Sequence, residues 1–165
     1  MKTFTTNDPI FQPIKDTPGF DPAALQNLVN ALNQNPYANT TLATAAQRGD
    51  VVFQLLRHEE LVNDGAGARF SNDRGSDPFV LRGDKFAIQL DKDWFVPQST
   101  PEGVTPATFA QPQAVKSALG MVTHEADHSN HQALYDEAYK LGTTSPLAYR
   151  ADLTGAVRVA ASVVG

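Results

Sequence analysis

Thr123-His124-Glu125-Ala126-Asp127-His128 is the stretch on which the reading of this 165-residue chain turns. It fits the pattern HExxH. On a helix, residues four apart lie one above the other on the same face. His124 and His128 can then point two imidazoles at one metal ion, and the Glu125 carboxylate sits where it can reach a water beside that ion. Two nitrogen ligands and a general base on one turn are what a zinc hydrolase requires.

The surroundings read as a helix from about Gln113 to Leu141. Val115, Leu119, Val122, Ala126, Ser129 and Ala133 recur at spacings of three and four, as a core-facing stripe does. His124, His128, His131 and Tyr135 fall on the other side, flanked by Met121 and Leu134. Pro112 suits the first turn, where its missing N–H costs nothing. Gly142 suits the position just past the end. A helix with a core stripe on one side and ligands on the other is expected between two packed layers, with a cleft above the histidines.

A catalytic zinc takes three protein ligands and leaves one position open. His131 is near in sequence, but at about 1.5 Å of rise per residue it lies about 10 Å along the axis from His124. It reads as a rim residue. Asp152 is the better candidate. Thr143-Thr144-Ser145-Pro146 reads as a turn, and a second helix is expected from about Leu147 to Val164. A short loop brings the start of that helix back beside the first. Glu137 is a weaker third candidate. In the chemistry this implies, zinc brings the pKa of a water near neutrality, Glu125 takes the proton, and a donor stabilises the oxyanion. Tyr149 is the candidate donor, with Tyr135 as the alternative, each weighed against an ordinary packing role.

With His124, Glu125, His128 and a downstream helix carrying Asp152, the chain resembles the zincin superfamily of zinc metallopeptidases. The resemblance implies an α+β fold: a small antiparallel or mixed sheet, a central HExxH helix, and a C-terminal helix packed beside it. It also implies a peptide or protein substrate that pairs with a strand above the cleft. Phe86-Ala87-Ile88-Gln89-Leu90-Asp91 alternates apolar with mostly polar residues, as a half-buried strand does. Size and layout look most like the small zincin domains of bacterial effectors and toxins. Gly142-Thr143-Thr144-Ser145-Pro146 lacks the aspartate of the GTxxD signature. Asp127 and Asn130 replace the uncharged and apolar residues usual at their positions.

Composition bounds the alternatives. A chain of this length is expected to form one domain, burying roughly 68–70% of its unfolded surface. The net charge of −5 argues against nucleic acid as a partner. Zero cysteines exclude disulfides and thiolate metal sites. No stretch is apolar enough to span a membrane. The N-terminal residues lack the apolar core of a signal peptide, so synthesis in the cytoplasm is expected, with any export through a specialised apparatus.

Residues 1–20 are expected to form a flexible leader, and residues 21–165 a single metallopeptidase domain. Asp21-Pro22 marks a helix start, followed by Leu25, Leu28, Val29 and Leu32. A second helix is expected from Thr40 to Arg48, and a strand over Val51–Leu56. Phe79-Val80-Leu81 and Phe86–Leu90 flank Arg82-Gly83-Asp84-Lys85 as a hairpin. Residues 92–112 read as a long loop at the cleft entrance, anchored by Trp94. His58, beside Glu59 and Glu60, has no second histidine at helical spacing and reads as a surface residue. Two other functions stay open: a non-catalytic α+β interaction module with an incidental or structural metal site, and a zinc amidase acting on cell-wall peptides.

Overall fold

The computed structural model describes residues 1–63, 67–72 and 86–140. The protein is a mixed α+β structure. Its helices are α1 (Gln12–Lys15), α2 (Pro22–Gln34), α3 (Pro36–Arg48), α4 (His58–Asn63) and α5 (Pro112–Lys140). Its strands are β1 (Val51–Leu56), β2 (Ala68–Asn72), β3 (Phe86–Asp91), β4 (Gln98–Thr100) and β5 (Gly103–Thr105). None of the described helices is long and apolar enough to cross a membrane.

Local chemistry sets the helix boundaries. The Asp21 side chain accepts from the Ala23 amide, and Pro22 occupies the first turn of α2. Asn35 alone separates α2 from α3, and its side chain caps α3 by accepting from the Ala38 amide. Gly49 closes α3 in the left-handed region, at φ 73°, a conformation that favours glycine. The chain then enters β1. Leu25, Leu28, Val29 and Leu32 of α2 are buried, as their spacing requires.

The main sheet has the order β1-β3-β2. β1 runs parallel to β3, with Phe53 opposite Ile88. β2 runs antiparallel to β3, with Phe70 also opposite Ile88. This changes the expected role of Phe86–Asp91. It is a central strand buried along its whole length, not a half-buried edge above a cleft. Its polar residue Gln89 is accommodated by a ladder across all three strands. Arg69 Nε donates to Gln89 Oε1 at 2.7 Å, and Gln89 Nε2 donates to Gln54 Oε1 at 2.7 Å. A buried amide held this way does not carry the cost of an unsatisfied one.

The N-terminal segment differs most from expectation. Residues 1–20 are not a loose leader. Phe4 is 2% exposed, and Ile10, Phe11 and Ile14 are buried with it. Phe11 stacks on Phe53 of β1, with ring centroids 5.7 Å apart. Two asparagines of the helical layer hold the extended backbone in place. The Asn33 side chain accepts from the Phe4 amide at 2.8 Å and donates to the Phe4 carbonyl at 2.9 Å. The Asn39 side chain does the same for Lys2, at 3.0 Å and 2.6 Å. Each side-chain amide thereby replaces one rung of a neighbouring strand.

Residues 92–112 are also more ordered than a loop. They contain a 3-10 turn at Lys92–Trp94, the β4–β5 hairpin and a second 3-10 turn at Thr108–Ala110. Trp94 stacks on Phe109 at 4.8 Å, as its anchoring role requires. Asn27 of α2 donates to the Phe109 carbonyl at 2.8 Å. The segment is thus tied to α2. The Phe79–Leu81 half of the expected hairpin lies outside the described residues.

Candidate metal centre

Helix α5 packs between the sheet and the layer of α2 and α3, and this fixes its rotation. Val115, Ala118, Leu119, Val122 and Ala126 are buried. The buried hydroxyls on the helix are satisfied within it: Thr123 Oγ1 donates to the Leu119 carbonyl at 2.8 Å, and Ser129 Oγ to that of Ala126 at 2.6 Å. His124 and His128 are left half-buried on the remaining face.

The two rings converge. His124 Nε2 and His128 Nε2 lie 3.0 Å apart, with the rings edge to face at 4.7 Å. Glu125 Oε1 is 3.9 Å from His124 Nε2. One ligand atom from each of the three residues falls within 4.8 Å of the others. Two nitrogens on one tetrahedral zinc, each at about 2.0–2.1 Å, stand about 3.3 Å apart. The imidazole pair is within a few tenths of an ångström of that spacing. The Glu125 carboxylate stands farther off, with Oε1 3.9 Å from His124 Nε2.

Electrostatics point the same way. Burial pushes His128 down to about 4, helped by the neighbouring His124 and His131. Burial also lowers His124, against the pull of Asp127. Both rings are therefore held neutral at pH 7, as metal ligation requires. Two neutral imidazole nitrogens beside a carboxylate form a donor set that fits zinc. Glu125 is 9% exposed. Its burial pushes the carboxyl up to about 7, while a hydrogen bond from the Phe70 backbone amide opposes the rise.

Beside the centre lies a cavity of about 400 Å³, lined by Gly67, Ala68, Ser117, Gly120, Met121, His124 and Glu125. Residues 92–112 contribute nothing to it, so they do not form its entrance. The wall opposite α5 comes from the start of β2, which the sequence did not mark as a strand. A Cβ at Gly67 would fall 2.6 Å from Met121 Sδ, so a larger residue there would have to displace the exposed, flexible Met121 side chain.

His131 does not join the pair. Its Nε2 lies 3.1 Å from Asp127 Oδ2, an ion-pair contact without hydrogen-bond alignment. Asp127 thus stands against His131 rather than against His124 or His128, and burial raises its pKa. Asn130, the other departure from the usual motif, joins α5 to α3. It accepts from Arg48 and donates to the Thr41 carbonyl at 3.0 Å. Arg48 also donates to Ser129 Oγ at 3.1 Å. Asp152 and Tyr149 lie outside the described residues, as do the side chains of Tyr135 and Glu137.

His58 is exposed and bonded through Nδ1 to Asp91 Oδ2 at 2.6 Å, which raises its pKa. Asp91 Oδ1 in turn caps the Asp93 amide at 2.9 Å. The pair ties α4 to the end of β3.

No family model matches the chain, and neither a curated protein nor a solved structure matches it.

Proposed function

We propose that this protein is a zinc-dependent hydrolase of peptide bonds, with His124 and His128 as zinc ligands and Glu125 as general base. The observation that carries this reading is the convergence of two neutral imidazoles 3.0 Å apart beside a buried carboxylate, at the edge of a cavity of about 400 Å³. Bound zinc would supply Lewis acidity, polarising a carbonyl and making water a stronger acid. Glu125 accepts the proton of the attacking water and returns it to the leaving amine. In the metal-free site burial pushes that carboxyl up to about 7; a bound cation beside it would lower it again, which favours the carboxylate form that takes the proton. Ala68, Gly120 and Met121 line the space next to Glu125, where substrate displaces water. The substrate class is a protein or peptide.

The test pairs metal content with turnover. Wild type should retain one equivalent of zinc through dialysis and cleave an unstructured protein such as casein. Glu125→Gln should keep the zinc and lose about 10²–10⁴-fold in rate. Zinc retention with no cleavage of casein, but with cleavage of cell-wall peptides, would favour an amidase. Undiminished turnover in Glu125→Gln would remove the general base from this account.

A second reading has one specific observation in its favour. The Phe70 ring of β2 stacks on the His128 ring, with centroids 5.6 Å apart, so a metal that fixes His128 would brace α5 against β2. Zinc that raises the melting temperature in a chain with no hydrolytic activity would support it.

A further inference from the structure

We propose that Phe70 is the positioning residue of the metal centre: its ring holds the His128 imidazole in place. The inference rests on the reading of His124 and His128 as metal ligands.

An imidazole turns about its outer torsion over a broad range. Helix geometry therefore places His128 beside His124 without deciding where its Nε2 points. The Phe70 ring supplies that restriction. It lies parallel to the His128 ring, with centroids 5.6 Å apart and an interplanar angle of 7°. Phe70 is in turn braced by Phe86, at 5.6 Å and 44°. A flat face against a flat ring selects one rotation. An aliphatic side chain of similar volume would fill the space without selecting it.

Groups that orient metal ligands typically change metal affinity by about 10–100-fold when removed. In chelator competition on the full chain, Phe70→Leu should weaken zinc binding at least about tenfold, and Phe70→Tyr, which keeps the flat ring, should restore it. Phe53→Leu is the control, since it removes a core ring of β1 that stacks on Phe11 and not on His128. It should leave affinity within about threefold of wild type. A second measurement needs no metal. In metal-free protein the His128 ring protons should show a ring-current shift that Phe70→Leu removes and Phe70→Tyr keeps, because the two rings lie face to face. Phe70→Leu with unchanged zinc affinity, Phe53→Leu as weak as Phe70→Leu, or His128 ring protons unmoved by Phe70→Leu would each overturn the proposal. Wild type that binds no zinc would overturn the metal reading itself. Wild type that binds zinc while the variants fail these expectations overturns the positioning role alone.

Discussion

At the residue scale, Glu125 and His128 set opposite pH dependences on the same turn of helix. In metal-free protein, burial lifts the Glu125 carboxyl from 4.5 to about 7. The native state then holds that proton more tightly than the unfolded state. Its contribution is fully present below pH 4.5 and is lost as pH rises through about 7. His128 moves from 6.5 down to about 4, so its contribution is present above pH 6.5 and lost as pH falls through about 4. Across the shared window the two slopes oppose each other. Glu125→Gln removes one of them. Measured by urea unfolding in chelator, the variant should gain on the order of 1–3 kcal/mol relative to wild type between pH 4.5 and pH 7. An unchanged difference across that range would mean that Glu125 is not buried as an acid. The imidazole pair was legible at this scale because helical spacing alone sets it. The companions of Asp127 and Asn130 were not, because their partners come from His131 geometry and from α3.

At the scale of elements, the orientation of α5 depends on Arg48 at the end of α3. Its guanidinium reaches Ser129, Asn130 and Asp50, and lies over the Phe86 ring at 6.0 Å. One flexible side chain thereby links α3, α5 and β3. Arg48→Met keeps the apolar stem and removes the fork. It should cost about 1–3 kcal/mol, because Ser129 and Asn130 lose a charged donor. Arg48→Lys should be nearly as costly, since a single ammonium cannot serve three acceptors in a plane. Thermal melts check both, and zinc affinity should fall with them if the helix rotates. The Asp21 cap is a smaller matter: Asp21→Ala should cost about 1 kcal/mol. That cap was readable directly from Asp21-Pro22, whereas nothing around Arg48 announces its role. A basic residue in the last turn of a helix is ordinary. Only the approach of residues some eighty positions away turns it into a hub.

At the scale of the molecule, the first sixteen residues belong to the core. Phe4, Ile10, Phe11 and Ile14 are all buried, and each large apolar side chain contributes about 1.5–3 kcal/mol on burial. Against a typical total stability of about 5–15 kcal/mol, deletion of residues 1–16 should abolish the cooperative thermal transition, read by circular dichroism. A truncated chain melting within a few degrees of the full one would show that this segment is dispensable. Its composition looked like that of a leader because Thr, Pro and Asp dominate it. The apolar residues that dock it are sparse, and the asparagines that clamp it stand about thirty residues away.

From its residues alone, the chain specified what depends on neighbours a few positions apart. The cap at Asp21, the periods of α2 and α5, the extended runs of β1 and β3, and the spacing of His124 from His128 all follow from backbone geometry within one or two turns. The folded arrangement alone decided that β3 is central rather than an edge, that β2 brings Phe70 against His128 and Glu125, and that the N-terminal segment is clamped by Asn33 and Asn39. These depend on segments distant along the chain meeting in space. Which partners meet is set by how all the buried faces pack at once, and no local pattern contains that information.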